Sequence, residues 1–480
     1  MRSASAAARP RTRIDAEREL IRYAQVQGKA MEVPCRMAET IRHIHPVDAV
    51  LPKAQMFLVG LQHVLVMYAG AIAVPLIVGG ALKLPKDQLA LLINADLFVC
   101  GIATLIQCIG FWKFGIRLPV VMGVTFAVVG PLVGMANAGQ GVPVMYGAII
   151  ASGLVTILLA PVFSRLMRFF PPIVTGTIIM IIGVTLMRVG ITWAGGGVGA
   201  KDFGALSNVL IAVVVLVTIL TVNKYLRGFW SNISVLIGLV VGFALSASLD
   251  KVNFSGVAGA AWVAIVQPFW FGLPEFELGP VTALCVVMFV VMVESSGMFI
   301  ALGDITKRPV TPPDLARGLR ADGLATMVGG IFNTFPYTSY SQNVGLVSMT
   351  GVHSRWVVAV SGAILVVLGL LPKMATIVAS IPVAVLGGAG IAMFGMVAAT
   401  GIKILSRVDF ESRSNLMIVA ISVGLGLIPL VSPNFFDEFP RWTSALTHSG
   451  ITLTAITAVA LNAYTRTRGQ DVDDVKDSSG

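Results

Sequence analysis

The chain has 480 residues, is 56% hydrophobic and 12% charged, and carries a formal charge of +10 with a mean hydropathy of +0.86. Those values exclude a soluble globular domain. The positive excess sits in an N-terminal arm (Arg2, Arg9, Arg11, Arg13, Arg18, Arg22) and in short loops, so it reads as a topology signal and not as a nucleic-acid surface.

The arm lacks an apolar core of signal length, so no cleavable signal peptide is expected. After it, apolar runs of about 20 residues match the length a helix needs to cross a bilayer, and none alternates as an outer-membrane barrel strand does. The chain is therefore expected to be an all-α polytopic membrane protein. Pro, Gly and charge breaks place fourteen spans near 57–78, 88–110, 119–134, 144–162, 171–193, 207–222, 232–248, 279–303, 318–332, 342–350, 354–371, 381–401, 413–430 and 442–463. The third and tenth are too short to cross alone. The longest loop, 249–278, holds apolar residues with Trp262 and Trp270 and suits the headgroup level. The tail from 464 to 480 is charged and expected to be disordered.

Basic residues concentrate in alternate loops, among them Lys113, Arg117, Arg165, Arg168, Lys224, Arg227, Lys307, Arg308, Arg355, Lys403 and Arg407. Loops on the other side hold few, such as Lys83, Lys86, Lys201, Lys251, Lys373 and Arg441, several offset by acids. The positive-inside rule then puts both termini in the cytoplasm. Halving the chain near residue 250 makes the short segments, 122–132 and 341–351, third in each half. Seven spans per half force opposite orientations, the pattern of inverted-repeat transporters whose interrupted helices form a midplane site.

Ionisable side chains inside spans are costly and tend to mark function; those singled out are His63, Asp96, Glu294 and Asp322. Glu294, in "VVMVESSGMF", is either a neutral acid bonding two helices or a ligand and proton site, and the second reading is favoured. His63 reads first as a packing residue that orients its neighbours. Asp322 could cap its helix, pair with Arg320 or take part in coupling, and Asp96 is a deeper candidate for the same support. A half-helix that starts at mid-depth points free N–H groups into a cavity and favours an anionic or carbonyl-rich solute. In "YSQNVG", Gln342 offers an acceptor and a donor to a planar ring edge, Asn343 would hold the loop, and both could instead be caps. Thr125 and Phe126 of "GVTFA" hold the matching place, as hydroxyl donor and stacking ring or as packing. Gly123, Gly345 and Gly351 would allow close backbone approach. Cys35, Cys100, Cys108 and Cys285 show no metal-ligand spacing and are expected to be buried thiols; no metal or cofactor is expected.

At these residues the sequence resembles the nucleobase-ascorbate transporter family. The family signature, Gln/Glu-Asn-x-Gly followed after four residues by Thr and then Arg, Lys or Gly, is met by Gln342, Asn343, Gly345, Thr350 and Gly351. "GLQHVLVMYAG" at 60–70, "ESSGMFIALGD" at 294–304 and "ASIPVAVLGGAGIAMFGMV" at 379–397 extend the likeness, which runs from about 47 to 463 and is nearest the bacterial uric acid permeases. The resemblance implies a seven-plus-seven inverted repeat, with spans 1–4 (51–162) and 8–11 (279–371) as a moving core. Spans 5–7 (163–250) and 12–14 (372–463) would form a gate and dimer domain, flanked by a cytoplasmic arm (1–50) and tail (464–480). It implies proton-coupled import of a purine oxo-acid, urate or xanthine, across a bacterial inner membrane by an elevator-type core movement in a homodimer. Glu294, Gln342, Phe126, Thr125, Gly345 and Asn343 would bind substrate, supported by His63, Asp322 and Asp96. Gln at 342 fits the xanthine and urate branch over the uracil branch, Thr125 leans toward urate, and Gly351 leaves xanthine open.

A channel should show rings of like charge or carbonyl-lined filter repeats, and neither is evident. An intramembrane enzyme needs a nucleophile with its base or a metal motif, and a receptor usually appends an output domain; the sequence displays none of these.

Overall fold

The computed structural model describes residues 45–166, 171–197, 199–254, 256–436, 438–439, 447 and 449–465. The chain divides into two units, 1–45 and 46–480, and the architecture below is that of the second. The N-terminal arm with Cys35, Arg168, Arg441, the start of the fourteenth span and the tail after 465 lie outside the described residues.

With no water in a bilayer core to satisfy backbone groups, each span must close its own hydrogen bonds, which long apolar helices do. The described helices are α1 (Lys53–Ala81), α2 (Lys86–Ile109), α3 (Val129–Asn137), α4 (Val142–Leu166), α5 (Pro172–Ala194), α6 (Leu206–Tyr225) and α7 (Ser234–Ser248). They continue as α8 (Leu278–Thr306), α9 (Pro312–Ile331), α10 (Ser341–Thr350), α11 (Arg355–Gly369), α12 (Pro372–Ala379), α13 (Val383–Leu405), α14 (Arg413–Val431) and α15 (Gly450–Thr465). Two short strands, β1 (Met122–Val124) and β2 (Tyr337–Ser339), precede α3 and α10. Their start signals are local. Prolines stand just ahead of α2, α5 and α13, and α9 opens on a capping box in which the Thr311 hydroxyl takes the Asp314 N–H while the Asp314 carboxylate takes the Thr311 N–H.

Among the described residues eight helices are long and apolar enough to cross a membrane, or nine if α11 and α12, bent by 81°, make one span. Helices of spanning length thus account for eight or nine of the fourteen expected segments. Three apolar helices are shorter than a crossing needs, and α9 carries Asp314, Arg317, Arg320 and Asp322. That helix also begins at Pro312, six residues before the expected 318, because its first turns are polar and its start is set by the cap. Helix α12 has no counterpart among the expected spans, since it is short and follows α11 without a polar loop. Cys100 and Cys108 are buried, whereas Cys285 is only partly buried, so the expectation of buried thiols fails there.

Helix packing is close. α2 lies along α11, α9 along α4 and α5 along α13, while α6 pairs with α7 and α14 with α15. Glycines set the spacing: a Cβ on Gly101 would stand 2.5 Å from the Gly362 carbonyl oxygen, one on Gly153 2.7 Å from that of Gly323, and one on Gly183 2.3 Å from the Ala398 nitrogen. Small residues at such crossings let backbones touch, which is the main source of helix association where lipid is as apolar as the side chains. Where α1 begins, the Asp48 carboxylate is shared by Arg308 at 3.1 Å and Arg355 at 2.7 Å, and Arg355 also donates to the Cys108 carbonyl at the end of α2. Asp48, just ahead of α1, thus joins the α8–α9 loop to α11, and Arg355 carries the link on to α2.

Replacing Gly101 by Leu puts a side chain into the Gly362 backbone, a clash that rotamer changes do not relieve. The expected loss is about 3 kcal/mol or more, read as a fall in melting temperature in detergent. Gly134→Ala, with nothing within 4 Å of an added Cβ, should leave it unchanged.

Candidate substrate site

Two broken segments meet at the centre of the bundle. β1 and β2 pair antiparallel, Met122 opposite Ser339, Gly123 opposite Thr338 and Val124 opposite Tyr337. The ladder extends through Thr125 N–H to the Pro336 carbonyl (2.9 Å) and Tyr340 N–H to that of Val121 (3.0 Å). Non-helical backbone at this depth is tolerable because each segment satisfies the other. The Tyr340 ring fills a glycine cradle, where a Cβ on Gly123 would lie 2.0 Å and one on Gly70 2.8 Å from it.

After the ladder each chain turns into a helix. The Thr125 hydroxyl accepts from the Ala127 N–H at 3.2 Å and so caps the turn leading into α3. Tyr340, at the start of α10, provides no side-chain cap. The first-turn N–H groups of α10 therefore keep their capacity to donate, and the positive end of the helix dipole lies beside them.

Beside these helix starts is a narrow cleft of about 30 Å³, close to the share of one water in liquid. One wall is Phe126, Glu294, Thr338 and Gln342, and the facing wall is Ile179 and Ile182 of α5 with Val397 and Thr400 of α13. A cleft of that size is far below the several hundred Å³ of an ordinary small-molecule pocket. Phe126 meets Phe394 of α13 edge-on with ring centroids 5.6 Å apart, closing one end of the same interface.

The structure brings Glu294, Gln342 and Phe126 together in this cleft. Thr125, Asn343 and Gly345 do not line it. Thr125 is 1% exposed and occupied in capping, and Asn343, also 1% exposed, donates through Nδ2 to the His63 carbonyl (2.9 Å) and to His63 Nδ1 (3.1 Å). Gly345 sits on an exposed face of α10 with nothing within 4 Å of an added Cβ. Accepting from Asn343 leaves Nδ1 of a neutral His63 without a proton, which places the ring hydrogen on Nε2. His63 is thus the partner that fixes Asn343, joining α1 to α10.

The other two acids are held inside the bundle. Asp322 Oδ1 accepts from Gln107 Nε2 at 2.7 Å, and the same nitrogen donates to the Gly318 carbonyl at 2.9 Å, tying α9 to α2. Asp96 Oδ1 accepts from the Tyr337 hydroxyl (2.9 Å) and the Thr334 hydroxyl (3.1 Å), which secures the loop entering β2. Neither contact supports the sequence option of an Asp322–Arg320 pair. Sequence reading missed Gln107, Tyr337 and Tyr340, and also Ser295, whose hydroxyl lies 3.2 Å from that of Thr338 and takes the Ser339 N–H at 3.4 Å. Ser295 had a signal, standing beside Glu294 in "ESSG". The four residues of the facing wall had none, being ordinary apolar positions and one threonine.

Buried acids on helices, paired half-segments and a cleft between two helix groups define a multi-pass membrane transporter. Residues 54–435 match the permease family, and the chain belongs to it, among the nucleobase-ascorbate transporters. It is similar to the uric acid transporter UacT of Escherichia coli (strain K12), 51% identical over 435 residues, 90% of each chain. The xanthine permease of Bacillus subtilis (strain 168) is 50% identical over 403 residues, covering 84% of this chain and 92% of the relative. Uric acid permease PucK of the same organism is 48% identical over 425 residues, 88% and 98%. Among solved structures, the transmembrane domain of the cyanobacterial bicarbonate transporter BicA aligns with a TM-score of 0.54 at 14% identity, over 87% of this chain and 99% of that one. SLC26A9 aligns at 0.60 and 12%, over 97% and 72%. At such identities the likeness shows the fold alone. The chain is a nucleobase transporter and not an enzyme.

Tyr337→Phe removes the shorter of the two hydroxyl bonds to Asp96 in a buried setting, and about 1–3 kcal/mol of stability should go with it. Thermal unfolding in detergent measures this, and Phe fills the same space, so a large fall must come from the lost bond.

Proposed function

We infer that the protein imports urate by proton-coupled symport across a bacterial inner membrane, both termini cytoplasmic. The observation that carries this is the placing of Glu294 and Gln342 on one wall, beside the start of α10. The 51% identity to a uric acid transporter supports urate as the substrate.

Urate presents ring N–H donors and carbonyl acceptors around a flat rim and has little apolar surface. Its desolvation is offset only by matched hydrogen bonds. Glu294 takes ring N–H groups, the Gln342 amide gives one donor and one acceptor, and the N–H groups opening α10 receive a carbonyl or anionic edge. Phe126 lies against the ring face. Thr125, Asn343 and Gly345 act from behind this layer, through the cap, the His63 bond and the helix backbone. A proton on Glu294 removes the repulsion between its carboxylate and an anionic purine, and so lets the loaded core move. Asp322 and Asp96 support that step through the bonds they make across the core.

A seven-plus-seven inverted repeat is supported by the pairings themselves. The contact of α2 with α11 has its counterpart in α9 with α4, α6–α7 in α14–α15, and α5–α13 and β1–β2 are each their own counterpart. On this reading α1–α4 and α8–α11 form the core and α5–α7 with α13–α15 the gate. An elevator movement parts the cleft between them. The outward apolar faces of α6 (Leu210, Val213, Val217, Leu220) and α14 (Leu416, Met417, Leu425) serve lipid contact and homodimer formation.

Xanthine is the second reading, favoured by the 50% identity to a xanthine permease. Gly351 no longer weighs for it on contact grounds, because it closes α10 at φ +64°, where glycine is the least strained residue, and does not line the cleft.

In proteoliposomes, Glu294→Gln is expected to abolish accumulation of labelled urate driven by a pH gradient while retaining counterflow exchange at a tenth of wild-type rate or more. Accumulation by that variant would refute the proton role. Uptake should be competed by urate and xanthine and left intact by uracil; inhibition by uracil alone would refute the substrate.

A further inference from the structure

Away from the cleft lies a cavity of about 670 Å³, at the end of the bundle where α2 begins. Its sides are one face of α2, the loop 256–270 and the bend between α11 and α12. These last two are the connections that run from the α8–α11 group to its neighbours in the chain.

The chemistry changes with depth. At the mouth Lys86 and Asp87 stand side by side in the first turn of α2, both exposed. Lys86 gives one hydrogen bond to the Asn253 carbonyl at 3.2 Å, and Asp87 has no ion-pair partner among the described residues. Below them the wall is mostly apolar and small, with Ala260 on the loop. Eight residues along α2, about 12 Å deeper, Asn94 lines the cavity; it is 7% exposed, and its Oδ1 has no hydrogen-bond partner. A buried amide oxygen without a partner is costly in an apolar wall unless something polar reaches it.

The loop over the cavity shows which solvent it meets. Trp262 (69% exposed) and Ile265 (84%) present bare apolar surface, and the Lys373 ammonium lies 4.3 Å from the Trp262 ring centre. Exposed tryptophans beside lysines mark the headgroup level of a bilayer. A large apolar-walled cavity opening at that level meets lipid.

We propose that this cavity is a binding site for one phospholipid with an amine headgroup, of the phosphatidylethanolamine class. The phosphate pairs with Lys86, the ammonium with Asp87, a chain lies along the apolar wall, and the Asn94 amide meets the ester region. The lipid bridges α2 to both connecting segments. This site is independent of the substrate reading.

Native mass spectrometry of the purified full chain, delipidated and then titrated with phosphatidylethanolamine, tests it. One bound lipid per protomer is expected, with at least tenfold weaker binding of phosphatidylglycerol and none of glycerophosphoethanolamine, the headgroup without chains. Ala260→Trp, which fills the cavity, should weaken binding at least tenfold, and Asn94→Leu about fivefold. Asp87→Asn should bring the two lipids within twofold of each other while still retaining one lipid. A monodisperse Ala260→Trp protein that binds phosphatidylethanolamine like the wild type overturns the proposal, as does equal binding of both lipids by the wild type.

Discussion

Everything at the centre of this protein depends on the antiparallel pairing of Met122–Val124 with Tyr337–Ser339. Interrupting a helix at mid-depth frees backbone donors and acceptors, and hydrocarbon offers them nothing. Here two interruptions cancel by pairing with each other. The ladder fixes where α3 and α10 begin and therefore where Phe126 and Gln342 stand. Its supports radiate outward: Tyr340 seated against Gly123 and Gly70, Tyr337 bonded to Asp96, Ser295 bonded to the strand.

Acids inside the bundle divide by what surrounds them. Asp96 and Asp322 each spend one oxygen on hydrogen bonds from other elements, so they behave as fasteners between α2 and the segments near β2 and α9. Glu294 instead lines the cleft, next to groups able to receive a ligand. Partners and exposure differ together, since Asp96 and Asp322 are fully buried whereas Glu294 is only partly so. The cleft itself is narrow because one wall belongs to a different helix group, α5 with α13, whose contact with the other wall includes the Phe126–Phe394 edge contact. The ion pairs of Asp48 with Arg308 and Arg355 join the segment ahead of α1 to the α8–α9 loop and to α11, away from that contact.

Hydropathy, loop charge and the polar run around 332–351 were enough to read an α-helical carrier with two short central segments, and to single out Glu294 and Gln342, which the fold brings to one cleft. Those features are local, or repeat at a helical period, and leave a mark on any single stretch. Strand pairing did not, because three residues of "MGV" and "YTS" carry no periodicity. Nor did the role of Asn343, since an asparagine bonding to His63, 280 residues away, looks the same in sequence as one bonding to a substrate. Helix α9 is longer than its hydropathy suggests because its charged first turns resemble a loop in sequence and the Thr311 cap sets its start.

By itself, then, the sequence determined the solvent, the helical class, the break positions and the chemistry available for a flat polar solute, because burial in lipid writes those constraints into composition and spacing. Tertiary structure alone decided which polar groups face the cleft and which are used up as partners. It also supplied the opposite wall of Ile179, Ile182, Val397 and Thr400 and the glycine crossings that set helix distances. Those depend on contacts between residues far apart in the chain, and a hydrogen bond that is satisfied across such a distance leaves no local trace.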